Sequence, residues 1–165
     1  MDRLTHRLTQ IAGRISDVGG YVAAACIAII LALVCVEVLL RNVFRSSTLI
    51  ADEMSGYLNA AVLFLGLAYT LKEGGFIRVE VVYNKLRGWF GMTVKWVITL
   101  FSLLYTAVLV VYIWQHVTYS YAFNVRSPDV TSTPLFIPQL VMWLGAVILG
   151  IQLLSYVLNR VRNVP

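Results

Sequence analysis

Tyr21–Leu40 reads YVAAACIAIILALVCVEVLL, twenty residues that carry a single charge, Glu37. At ~1.5 Å per helical residue this run reaches ~30 Å, the thickness of a bilayer's hydrocarbon core. Lipid offers no water to the backbone, so a run of this kind must satisfy its own hydrogen bonds as a helix. Working outward, three further runs repeat the pattern: Met54–Leu71, Trp96–Trp114 and Leu140–Leu158, none with an Asp, Glu, Lys or Arg. The chain is therefore expected to be an all-α membrane protein with four transmembrane helices. Their spans are predicted at about 19–41, 53–72, 92–115 and 137–159.

The chain has 165 residues, 59% of them hydrophobic, and a mean hydropathy of +0.79. The gaps between runs are too short for a soluble domain, which takes ~50 residues or more. One membrane domain over 1–165 is the expected organisation. A net charge of +5 could suit nucleic acid, but the positions of the charges argue for topology instead. Arg3, Arg7, Arg14, Lys72, Arg78, Lys85, Arg87, Lys95, Arg160 and Arg162 fall on one side of the predicted membrane. Only Arg41, Arg45 and Arg126 fall on the other. Since Lys and Arg favour cytoplasmic segments, both termini and the middle connection are expected inside, with no nucleic-acid partner.

Two amphipathic segments flank these spans. In residues 1–17, Leu4, Leu8, Ile11 and Ile15 share a helical face that Val18 continues, with Arg3, Arg7, Gln10, Arg14 and Asp17 filling the other side. Such a helix suits the inner leaflet, where membrane lipids are its partner; packing on a partner subunit is the other use. In the middle connection Gly74-Gly75 should end the second helix. Val79, Val82, Tyr83, Leu86 and Phe90 then mark an interfacial helix at about 78–89.

Chemistry has few candidates here. His6 and His116 lie on opposite sides and cannot share a haem or a metal. Cys26 and Cys35 are nine residues apart on one helix, ~13 Å, too far for a disulfide. Neither a Cys/His cluster, a phosphate loop nor a nucleophile arrangement is present, so no enzyme activity and no cofactor are expected. Glu37 is the exception, because a carboxylate within a span is a functional candidate by default. Arg41 follows it by four residues, in the order that favours an ion pair. A structural pair, a proton or ion site and an intersubunit contact are its three possible uses. Asp52 and Glu53 open the second helix, where carboxylates complement the helix dipole and could also pair with Arg41 or Arg45. Ser127-Pro128-Asp129 and Thr131-Ser132-Thr133-Pro134 mark turns in the outer connection, 115–139, and expose Arg126 and Asp129 there. A transporter in its own right needs a polar cavity near the midplane, and these spans supply none.

Several stretches resemble the small membrane subunit of tripartite ATP-independent periplasmic (TRAP) transporters, the DctQ-type family. Arg41 closes helix one, Asp52-Glu53 opens helix two, and Phe64-Leu65-Gly66 follows within it. Gly74-Gly-Phe-Ile-Arg-Val-Glu80 is similar to the family's G-x-H-I-x-V-D pattern. Thr133-Pro134-Leu-Phe-Ile-Pro138, followed by Gly145 and Gly150, is similar to its S-P-x-x-x-P ending. Phe76 stands where the family has a polar residue, and Glu80 where it has Asp. The resemblance implies a non-catalytic subunit in a bacterial inner membrane. It would scaffold a large subunit that imports a small organic acid with sodium, and would help dock a periplasmic substrate-binding protein. By the same resemblance Arg41, Asp52 and Glu53 are interface or docking residues; Arg126 and Asp129 are added for their exposure. Two other classes fit four spans. One is a small proton-coupled exporter, whose carboxylate should lie nearer the midplane than Glu37. The other is the membrane anchor of a redox enzyme, whose haem would need two histidines together.

Overall fold

Helix α1 runs without interruption from Asp2 to Val43 in the computed structural model, which describes residues 2–74 and 89–162. Where the sequence suggests a separate helix at 1–17, a single rod of 42 residues joins the amphipathic stretch to the first span. Its ~63 Å is about twice a hydrocarbon core. Gly19 and Gly20 do not break it, because both lie against helix α2, Ile50–Lys72. A Cβ on Gly19 would stand 3.1 Å from the Leu65 carbonyl oxygen, and one on Gly20 would stand 2.7 Å from the Tyr69 ring. Small residues here let two backbones approach, which is how helices associate in lipid.

Helix α2 ends as its glycine demands. Gly74 takes a left-handed φ of 69° while the amides of Glu73 and Gly74 bond back to the carbonyls of Tyr69 and Leu71. The interfacial helix expected at 78–89 falls outside the described residues, apart from Trp89. Helix α3, Trp89–Ala122, extends seven residues past the predicted span end at 115, so Tyr119 and Tyr121 are helical. Helix α4, Phe136–Arg162, carries Pro138 in its first turn, where an absent N–H costs little. All four helices contain a stretch long and apolar enough to cross a membrane.

Helix α4 packs against each of the other three, and α3 rests chiefly on α4. The core is made of small side chains. Cys26, Ala61 and Leu65 form its centre, with Leu58, Val62, Val141 and Ile148 against them. Gly145 sits directly on the Phe64 backbone. Both cysteines are free. Away from these contacts α1 and α3 present long apolar faces outward, including Ile27, Leu31, Val36 and Leu39 on α1 and Leu100, Phe101, Leu104 and Val111 on α3.

Candidate functional site

The short connection after α1 leaves through Arg45 and Leu49, both in left-handed backbone conformations (φ 51° and 57°). Leu49 is the N-cap of α2 and supplies no capping side chain. The residues suited to that task, Ser47 and Thr48, turn away to Glu37. Glu37 is buried at 5% exposure and accepts hydrogen bonds from Ser47 Oγ at 2.5 Å, Thr48 Oγ1 at 2.6 Å and the Thr48 amide at 3.4 Å. Arg41 Nε donates to it at 2.9 Å. The same guanidinium reaches the first turn of α2, with Nη2 3.0 Å from Asp52 Oδ2. Glu37, Arg41 and Asp52 thus make one chain across the helix–helix corner, from a buried carboxylate to an exposed one. Arg45 pairs with none of these groups among the described residues.

Glu53 makes a second network. It is buried at 7% exposure, where Tyr57 Oη donates to it at 2.9 Å. Thr131, in the α3–α4 connection, donates both its amide, at 3.3 Å, and its hydroxyl. That connection is itself closed. Val125 N donates to Ser120 O at 3.0 Å, Ser127 N to Thr133 O at 2.9 Å and Leu135 N to Val125 O at 3.0 Å. Ser132, at φ 47°, turns the chain and donates to Asp129 O. The loop therefore holds Arg126 and Asp129 outward on a fixed frame, with Ser127 Oγ bonded to Asp129 Oδ2 at 3.3 Å.

Of the sequence-predicted residues, Glu37, Arg41 and Asp52 are brought together, while Glu53 joins the other connection. Arg126 and Asp129 share that loop and stay exposed. Sequence reasoning missed the hydroxyls of Ser47, Thr48 and Thr131. The first two carried a faint signal, being cap-type residues just before a helix; Thr131 carried none.

Chemically, this end offers fixed charge and no reactive group. Every donor to the two buried carboxylates is a hydroxyl, an amide or a guanidinium. Among the described residues no three His, Cys, Asp or Glu come close enough to hold a metal. Two polar contacts lie deeper in the bundle. Ser16 Oγ donates to Gln152 Oε1 at 3.2 Å, and Thr106 Oγ1 donates to Ser102 O at 2.8 Å.

Comparison with known families supplies the context for this arrangement. The family described as tripartite ATP-independent periplasmic transporters, DctQ component, matches residues 30–163. The chain belongs to the DctQ family. No curated protein matches it at a significant level. The DctQ match begins midway along α1 and takes in Glu37, Arg41, Asp52, Glu53, Arg126 and Asp129. The chain is thus a multi-pass membrane protein and the small membrane subunit of a TRAP transporter, a component of a tripartite assembly. Exporter and redox-anchor readings lose their footing with that membership.

Proposed function

We propose that this DctQ subunit is a non-catalytic scaffold in the bacterial inner membrane. It holds the large transport subunit along its apolar helix faces and presents its two connections to the periplasmic substrate-binding protein. The transporter it serves is sodium-coupled and imports a small organic acid. In this reading both termini are cytoplasmic, following the bias of Lys and Arg toward that side.

The observation that carries the proposal is the frame at the connection end. Two buried carboxylates lock both connections, one of them with Arg41 among its donors, and Arg41, Asp52, Arg126 and Asp129 are exposed as charges of both signs. Mixed surface charge on a fixed backbone steers and registers a partner more than it adds raw affinity. Glu53 belongs to the interface indirectly, by holding the loop that bears Arg126 and Asp129. The long apolar faces of α1 and α3 suit a large membrane partner.

Reconstitution with the large subunit and the binding protein tests this. Arg41→Glu and Asp52→Arg should each raise the binding-protein concentration needed for half-maximal uptake, with co-purification of the large subunit retained. Asp52→Arg breaks only the exposed Arg41–Asp52 bridge, with Asp52 at 72%, and should cost the fold no more than about 1 kcal/mol, whereas Arg41→Glu also takes a donor from buried Glu37. Unaltered uptake in both reversals would remove the docking role. Uptake that persists without a sodium gradient would remove the coupling.

A further inference from the structure

At the end of the bundle opposite the two connections, an open groove runs between α1, α2 and α4. Val18 and Val22 of α1, Leu65 of α2 and Ile148 of α4 line it, Gly19 lies in its floor, and Arg14 stands at its mouth. Its wall is apolar almost throughout, and its volume is about 300 Å³. From Arg14 to Val22 is eight residues of helix, or ~12 Å. The groove is apolar and open along its side, so an acyl chain of the surrounding bilayer can lie in it.

The charges around the mouth are specific. Asp17, three residues beyond Arg14, is bound to Lys72, and Lys72 also approaches Glu73 at 3.8 Å. These groups set the level of the polar boundary, with Lys72 shared between the two carboxylates. Arg14 is exposed and has no ion pair among the described residues. One unpaired cation therefore sits at the polar rim of an apolar groove. The α1 side of this groove lies before residue 30, outside the stretch matched by the DctQ family.

We infer that this groove holds one acyl chain of an anionic phospholipid whose phosphate is bound by Arg14. The chain lies along Val18, Val22, Leu65 and Ile148, with its head at the level of the Asp17–Lys72 pair. A basic residue near an anionic headgroup favours it by about 1 kcal/mol, which corresponds to a preference of about fivefold over a zwitterionic lipid.

Native mass spectrometry of the full chain, released from mild detergent with equal phosphatidylglycerol and phosphatidylcholine of the same acyl chains, tests this. The wild-type protein should retain the anionic lipid about five times as often. Arg14→Gln should bring that ratio close to one. Val18→Trp, which fills the groove from an exposed position, should lose both adducts. Each variant's melting temperature should match the wild type, since both side chains are exposed. Equal retention of the two lipids by the wild type would overturn the inference. So would an unchanged ratio in Arg14→Gln, or displacement of the lipid by inorganic phosphate alone. A photoreactive residue at Val18 in the whole transporter should label lipid; labelling of the large subunit would show a protein in the groove and would also overturn it.

Discussion

Glu53, in the first turn of α2, accepts hydrogen bonds from both the amide and the hydroxyl of Thr131, 78 residues further along the chain. This contact ties one connection to the other. Thr131→Val should remove the hydroxyl bond and release residues 123–135. Hydrogen bonds to a charged group are worth about 1.5–3 kcal/mol, so a loss of that order is expected in detergent unfolding. Limited proteolysis should then cut within the loop. Cutting at the wild-type rate would mean that the loop stands without Glu53.

Gly145 and Gly56 give a contrasting pair. A Cβ on Gly145 would lie 2.6 Å from the Phe64 carbonyl carbon, so α2 and α4 must separate to admit it. Gly145→Ala should cost about 1–3 kcal/mol, as overpacking does. Gly56 has nothing within 4 Å of its Cβ position. Gly56→Ala should be neutral or gain up to about 1 kcal/mol from helix propensity. Melting curves of the two variants, moving in the same direction, would contradict this packing.

Glu37 is held by four donors, an arrangement that suits a structural carboxylate. Glu37→Gln should preserve uptake in the reconstituted transporter. Glu37→Ala should lower stability by about 1–3 kcal/mol, because Ser47 and Thr48 lose their acceptor while half-exposed Arg41 recovers water. Abolished transport in a stably folded Glu37→Gln would assign this carboxylate to the transport step itself.

The Ser16–Gln152 bond joins α1 to α4 in the interior. Interhelical bonds of this kind average ~0.6 kcal/mol in double-mutant cycles within membranes. Ser16→Ala and Gln152→Leu should each destabilise the protein, and the double variant should lose less than the sum of the two. Strict additivity would indicate that the two groups do not interact.

The four helices were readable because each run is uniform over a bilayer's width, and Glu37 was readable as the lone charge within them. The DctQ resemblance was readable from short motifs in fixed order. The continuity of α1 was not. Gly19-Gly20 sits where an amphipathic pattern gives way to an apolar one, and locally that reads as a joint. It is helical because Leu65 and Tyr69, far along the chain, fill the space beside it. Arg41 and Asp52 were recognised as charges that a short turn would bring close. Glu53 was assigned to the same corner, yet its geometry is decided by Thr131, and no local pattern announces a contact over that separation. Ser47 and Thr48 are of the type that caps helices, and a buried carboxylate takes their hydroxyls instead.

Because α4 is the element on which the other three converge, and because it comes last of the four in the chain, the bundle cannot close before α4 is in place. Until residues 136–162 have entered the bilayer, α1 and α2 have only each other, and α3 lacks its principal neighbour. A chain interrupted before Phe136 would insert three helices and yet leave the third adrift, an orphan for membrane quality control. Completion of the bundle, and so its readiness to meet a partner, waits on the final segment.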